Sequence, residues 1–427
     1  MAIVEETRPR GADEVASELR AWLKDNWDPE LSLAEWWERL ADSGWGVPTW
    51  PKEWFGWGLT SDLGAVVTRE IRAAGAVGPP AGLGLMLAGP TIVAHGSEEQ
   101  KQRYLRPIVT GQEAWCQLFS EPGAGSDLAS LQCRAVKDGD EWVVNGQKVW
   151  TSGAQVADLG MLLARTDVDV PKHRGISYFA IEMDQEGVDV RPLREMTGRA
   201  LFNEVFLTDA RVTDDALIGG LNNGWMAAMT TLANERASLG GGGGGTVGIG
   251  APGKKAGMLE RRAGDLARGG GGQRALGARG FATMRKAAEA EGRTGDPHIR
   301  QALVELYTLE EISRYTVMRT KAAKAAGRGP GPEANTAKLT MSRMTRLSRD
   351  LGLEILGAKG MLHGEDAPMG GMLQEMAIFA PAVSIYGGSD EVQKNIIGER
   401  VLGLPKEPSD DKTVPFKELR VSKARSA

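Results

Sequence analysis

Apolar positions recur along this chain in three successive textures. From Ala12 to about Gly111 the spacing is helical: Val15, Leu19, Trp22 and Leu23, then Leu33, Trp36, Trp37 and Leu40, fall three and four apart. Pro90 to Val109 predicts a helix end, a Gly turn and a new helix. Ser97 is its N-cap, and acidic residues occupy the first turn, where the helix dipole favours them. From about Ala114 to Gly219 the runs are short, alternating and β-branched, as in EWVVNGQKVW, LGMLLART, GISYFAIEM, VDVRPL and NEVFLTDARV. Asn145-Gly146 lies between two such runs and predicts a hairpin turn.

Helical spacing returns beyond Asn222. MAAMTTLANERASL predicts a helix, which the glycine run Gly240 to Gly245 should break or loosen. Roughly Gly240 to Gly295 is rich in Gly, Ala and Arg with poor periodicity, and is read as a loosened, partly mobile insert. Two long helices are predicted after Pro297, separated by GRGPGP, and a last helix opens on a Ser389 cap. The Lys-rich polar tail after Pro405 is expected to be loosely held. The predicted division is a helical domain over 1–114, a β domain over 115–222, a helical domain over 223–405 with its Gly-rich insert, and a tail over 406–427.

One stretch concentrates the chemistry: CQLFSEPGAGSDLASLQCRAVKDGDEWVVNGQKVWTS, from Cys116 to Ser152. Its Gly-punctuated turn around Gly125 presents backbone N–H groups, with Ser120, Ser126 and an acidic pair close by. That suits the polar parts of a bulky cofactor. Its end, Trp150-Thr151-Ser152, sets a flat aromatic face beside hydroxyl donors, which suits a planar ring.

Composition narrows the picture. The 41% hydrophobic and 25% charged shares are those of an ordinary globular protein. A net charge of −5 gives no footprint for nucleic acid or an anionic membrane. Two cysteines, Cys116 and Cys133, point to a reducing compartment, and no signal peptide or membrane-spanning run is read, so the expected location is cytoplasmic. His95, His173, His298 and His363 lack ligand-like spacing, so no metal site is expected. Eight of the twelve tryptophans precede residue 60, which reads as a Trp-packed loop over a helical core, since no interleaved basic residues support base stacking. GIGAPGKK (Gly248 to Lys255) mimics a phosphate loop, but Lys255 stands where Mg²⁺ needs a hydroxyl and no strand leads into it.

The order helical, β, helical, with HGSEEQKQRYLRPIVTGQEAWCQLFSEPGAGSD and NGQKVWTSG, resembles the acyl-CoA dehydrogenase family over nearly the whole chain. IYGGSDEVQKNIIGERVLGLP resembles the family's C-terminal signature, in the manner of actinobacterial subfamilies acting on steroid side-chain CoA thioesters. The resemblance implies an α+β fold with an N-terminal helical domain, a middle β-barrel or sandwich and a C-terminal helical bundle. It also implies FAD, and α,β-dehydrogenation of an acyl-CoA thioester, in which a carboxylate removes the α proton, the β hydride passes to the flavin, and an electron-transferring flavoprotein takes the electrons. Leu118, Ser120 and Gly125 would meet the flavin, and Ser126 would lie between its pyrophosphate and the substrate. Trp150, Thr151 and Ser152 would line the isoalloxazine.

Two departures from the family pattern matter. Where most members carry a Tyr-Glu-Gly-Thr element with the catalytic Glu, this chain reads Tyr386-Gly387-Gly388-Ser389. A minority of the family places the base in a Glu-Arg pair after a Leu-rich turn, and here that is Leu232-Ala233-Asn234-Glu235-Arg236. Glu235 is therefore the candidate base, with Arg236 a neighbouring support or substrate contact; a solvated Glu–Arg helix pair is the plain alternative, and Glu391 the rival carboxylate. The family's Arg-x-x-Phe-Gly element is missing after Arg236, and Glu354 replaces a Gln that would reach a neighbour's FAD. A carboxylate facing pyrophosphate repels it. The expected assembly is one half of an α2β2 heteromer, with a related acyl-CoA dehydrogenase subunit completing the FAD site. A catalytically silent structural subunit and an acyl-CoA oxidase are the alternatives.

Overall fold

The computed structural model describes residues 11–240, 253–268, 280–327 and 333–419. Among the described residues five α-helices come first: α1 (Ala12–Asn26), α2 (Leu33–Asp42), α3 (Ser61–Ala73), α4 (Gly89–His95) and α5 (Glu98–Val109). Ser97 caps α5 as the polar pattern predicts, and Ser32 caps α2 in the same way: each accepts a backbone N–H three residues on, and Glu35 and Gln100 bond back. Trp36 and Trp37 are fully buried, and their indole N–H groups donate to Val77 O and Gly78 O at 2.7 and 2.9 Å. Tryptophan packing thus fills this core, with each polar tip satisfied.

The middle region is β1 (Trp115–Leu118), β2 (Arg134–Asp138), β3 (Glu141–Ser152), β4 (Leu159–Arg165), β5 (Ile176–Glu182), β6 (Val188–Leu193), β7 (Phe202–Thr213) and β8 (Leu217–Ile218). They form one eight-stranded sheet in the order β6-β7-β3-β2-β4-β5-β8, with β1 pairing parallel to β4. β4 is buried along its whole length, which accounts for its unbroken apolar run. Asn145-Gly146 is not a hairpin. The turn falls at Gly139-Asp140, and Asn145-Gly146 lies inside β3 at a register shift against β7. A Cβ on Gly146 would stand 2.7 Å from Cys133 Cα, so the glycine serves a close backbone approach at a bulge. Asn145 exchanges hydrogen bonds with Asp209 across that bulge.

The last region holds α6 (Gly224–Gly240), α7 (Ala263–Arg268), α8 (Phe281–Ala290), α9 (Pro297–Ala325), α10 (Glu333–Leu356), α11 (Met372–Val383) and α12 (Asp390–Arg400), the last capped by Ser389 as expected. The Gly-rich insert divides. Residues 241–252, which hold most of the glycine run and of the phosphate-loop mimic, and 269–279 lie outside the described residues. Its remaining parts are packed rather than loosened: Ala263 and Leu266 enter the N-terminal helical core, and Met284, Ala287 and Ala288 of α8 enter the core of α9, α10 and α11. In α8 Phe281, Met284, Ala287 and Ala288 fall three and four apart, a short stripe, and burial against other elements orders it. The tail also departs from expectation, because Phe416 is buried and residues 416–418 form a short helical turn.

Candidate active site

α6 reaches the sheet because of what its first residues lack. A Cβ on Gly224 would stand 2.4 Å from the Ser177 carbonyl carbon and 2.6 Å from the Tyr178 nitrogen, so only glycine lets the helix start against the β5 backbone. Ala227, Ala228 and Thr231 continue that close-packed face without solvent exposure. Thr231 Oγ1 lies 2.8 Å from Thr91 Oγ1 of α4 and 3.4 Å from the Tyr178 hydroxyl of β5, which joins all three regions by hydroxyls. One turn further along α6 comes Glu235.

Glu235 is partly buried, and Gln117 Nε2 of β1 donates to its Oε2 at 3.4 Å. Burial pushes its carboxyl above the ordinary range, while the Gln117 amide and the Arg236 guanidinium pull it back less strongly. Burial likewise lowers the Arg236 guanidinium, and Arg400 adds to that push while Glu235 opposes it. A carboxylate raised in this way is a better proton acceptor from carbon than a solvated one. The sign of the stability effect follows. Unfolded, Glu235 ionises around its ordinary value near 4.5; folded, it holds its proton to higher pH, so stability falls as pH rises through that window. We expect the Glu235→Gln chain to be the more stable one at neutral pH, by the order of 1 kcal/mol, as read from urea midpoints at pH 5 and pH 8.

Gly387 and Gly388 adopt φ of +64° and +85°. A side chain at Gly387 would therefore be strained as well as new. Glu354 is exposed, and its main-chain carbonyl accepts from Arg293.

The Cys116 to Ser152 stretch folds back on itself. Val149 N–H donates to Ser120 O at 2.9 Å, which sets the loop after β1 beside the end of β3. Beneath that contact is a buried ion pair. Lys148 has no solvent exposure, and its Nζ donates to Glu121 Oε1 at 3.0 Å, Leu163 O at 2.8 Å and Phe119 O at 3.2 Å. Glu121 also accepts the backbone N–H groups of Gln132 and Cys133, each at 2.8 Å. Burial alone would raise the Glu121 carboxyl, but Lys148 and those N–H groups outweigh it and hold it below the ordinary range.

Trp150 sits at φ +63° in a second register shift of β3, between Lys148 and Thr151. The bulge turns the side chain out of the sheet, where Trp150 is 58% exposed and its ring lies roughly perpendicular to that of Phe202, with centroids 5.8 Å apart. A positive φ at an aromatic residue is strain of the kind that marks functional sites. Next to it, Thr151 Oγ1 is buried with no hydrogen-bond partner, and Ser152 is partly buried. Leu118 is buried and Ser120 half-buried, whereas Gly125 and Ser126 are exposed, with nothing within 4 Å of a Cβ built on Gly125. A flat exposed indole, an unpartnered hydroxyl and an open glycine loop fit a planar cofactor with a polar tail, and they fit FAD. Sequence reasoning missed Gln117, which lies in the same stretch but has no neighbour in sequence that would single it out.

The fold has a helical region, a middle sheet and a second helical region, and a carboxylate on helix α6 is hydrogen-bonded to the sheet's β1. Three family models match in order, those of the acyl-CoA dehydrogenase N-terminal domain over residues 1–112, middle domain over 116–210 and C-terminal domain over 258–402. The chain is 35% identical to acyl-CoA dehydrogenase IpdE1 of Mycobacterium tuberculosis, over 92% of this chain and 98% of that one. It is 34% identical to acyl-CoA dehydrogenase FadE34 of the same organism over 86% of this chain and 46% of that one. Among solved structures it is similar to the Tcur3481–Tcur3483 steroid ACAD, with a TM-score of 0.70 and 28% identity over 94% and 99% of the two chains. The ChsE4–ChsE5 complex of Mycobacterium tuberculosis gives 0.67 and 29% over 95% and 100%. This chain belongs to the acyl-CoA dehydrogenase family. Among the described residues no helix is long and apolar enough to cross a membrane.

Proposed function

We propose that the chain carries out FAD-dependent α,β-dehydrogenation of an acyl-CoA thioester, with Glu235 as the base. The observation that carries this reading is the join between α6 and β1: Gln117, inside the stretch that resembles the flavin site, donates to the carboxylate of Glu235. FAD, when bound, supplies the hydride acceptor. Trp150, Thr151 and Ser152 would line its ring with Leu118 and Ser120, and Gly125 and Ser126 would meet its phosphates and the substrate. Glu235 accepts the α proton of the thioester, and its burial both raises its basicity and keeps water from competing. Arg236 stands beside it to hold the carboxylate in its charged form before the proton arrives.

The similar structure titled as a steroid ACAD supports a bulky, ring-bearing acyl group as substrate. The ChsE4–ChsE5 complex, with the missing Arg-x-x-Phe-Gly element and Glu354 of this chain, supports a second, related subunit that completes the FAD site. An electron-transferring flavoprotein would take the electrons. The chain purified alone should carry well under one flavin per protomer, and co-purified with a neighbour-encoded relative it should approach full loading of the assembly's sites. Full loading of the lone chain would sink the heteromer. Anaerobic bleaching of the loaded assembly by acyl-CoA thioesters tests the reaction itself.

A further inference from the structure

The last described residues close against the connection between β4 and β5, which in turn holds the loop that carries Ser126. Pro415 pairs with Pro171, Phe416 N–H donates to Val170 O at 2.9 Å, and Lys417 N–H donates to Val168 O at 3.0 Å. The buried Phe416 ring lies under the Arg165 guanidinium, 3.7 Å from its centroid. Arg165 is itself buried and donates to Lys172 O, Ala129 O and Leu131 O at 2.5, 2.6 and 3.2 Å. A second link runs through Lys172. Its buried Nζ lies 2.9 and 3.1 Å from the two oxygens of Asp127 and 2.6 Å from Asp411 Oδ2. Asp127 follows Ser126 directly, and it also accepts from Ser130.

The loop needs such support. Pro122, Gly123, Gly125, Ser126 and Asp127 are exposed; Glu121 and Ala124 exchange backbone bonds, and further along the N–H groups of Ser130 and Leu131 donate to the carbonyls of Asp127 and Leu128. Its outer limb, 125–131, is fixed where Lys172 takes Asp127 and Arg165 takes Ala129 and Leu131. A buried ammonium between two carboxylates is worth more than a surface pair, because leaving it with one partner strands part of its charge. Asp411 has its carboxyl below the ordinary range, Lys172 being the main cause.

We infer that residues 410–419 act as a strap, in which the Asp411–Lys172 and Phe416–Arg165 contacts hold the 125–131 limb where Ser126 meets the acyl-CoA and the flavin phosphates. The inference rests on the proposed flavin site. Lys172, Arg165, Asp411 and Phe416 are positioning residues, since none lies on the reacting atoms. A loop left loose must be ordered by its ligand, and that cost falls on binding rather than on the chemical step.

The experiment uses the flavin-loaded assembly with Asp411→Asn, Lys172→Met and Lys172→Arg. Asp411→Asn and Lys172→Met should raise the apparent KM for acyl-CoA about tenfold while kcat stays within about twofold. Lys172→Arg should recover most of that loss. Amide exchange over 123–131, measured on the chain free of flavin and substrate, should quicken about tenfold in the first two variants. Wild-type KM in both, or a fall in kcat at unchanged KM, overturns the strap, as does unchanged exchange. Quickened exchange in a chain that never takes up flavin in any assembly overturns the flavin reading instead, so the two failures are distinguishable.

Discussion

Glu235→Gln should lower substrate-driven flavin reduction by about 10⁴-fold, the upper end of what a positioned general base supplies, while flavin stays bound. The amide is close in volume to the carboxylate and can still accept from Gln117, so the α6–β1 join survives the change. What it cannot do is take a proton from carbon. Stopped-flow bleaching under anaerobic conditions reads the effect, and near-normal bleaching would remove Glu235 from the mechanism. A companion variant, Gln117→Leu, deletes the amide that partly opposes the burial-driven rise of the Glu235 carboxyl. The acidic limb of the rate profile should then move to higher pH. A merely structural role for Gln117 would lower the rate without moving that limb.

Lys148→Met should cost about 3–5 kcal/mol of stability, because it keeps the length of the side chain but leaves Glu121 buried without its cation. Both groups are almost wholly out of solvent, with side-chain exposures of 0% and 3%, so water cannot stand in for the lost partner. The stabilisation from Glu121 is present above the ordinary carboxylate pKa and is lost as pH falls through its depressed folded value. The deficit of Lys148→Met should therefore narrow at low pH, where a protonated Glu121 is cheaper to bury. The double variant Lys148→Met with Glu121→Gln should recover part of the loss, since no uncompensated charge remains. Urea unfolding at pH 7 and pH 4.5 checks both points. Equal losses for the single and double variants would show that packing, and not the stranded charge, sets the cost.

Most of the helices were legible because one apolar stripe per helix reports one buried face, and the Ser97 and Ser389 caps report where two of them start. The β region was legible as well, through alternation. Asn145-Gly146 misled because the dipeptide is equally at home in a two-residue turn and at a bulge, and the contact that selects the bulge comes from Cys133, which no local pattern includes. The tail misled for a similar reason. Its polar composition describes an exposed strap correctly, but one buried aromatic, Phe416, and one ion pair, Asp411 to Lys172, are enough to dock it.

By itself the sequence determined the order of the three regions and the family, and it singled out the stretch from Cys116 to Ser152 as the expected flavin site and, through the missing side chain at Gly387, Glu235 as the candidate base. Those are properties of local pattern and of short motifs, which survive without coordinates. Only the tertiary structure decided what each of these groups faces. It brought Gln117 to Glu235 across 118 positions and Lys148 to Glu121 across 27, and it turned Trp150 outward at a strained bulge. Charge and basicity depend on burial and on neighbours distant in the chain, and Glu235 gains both when helix α6 packs, through Gly224, against the backbone of β5.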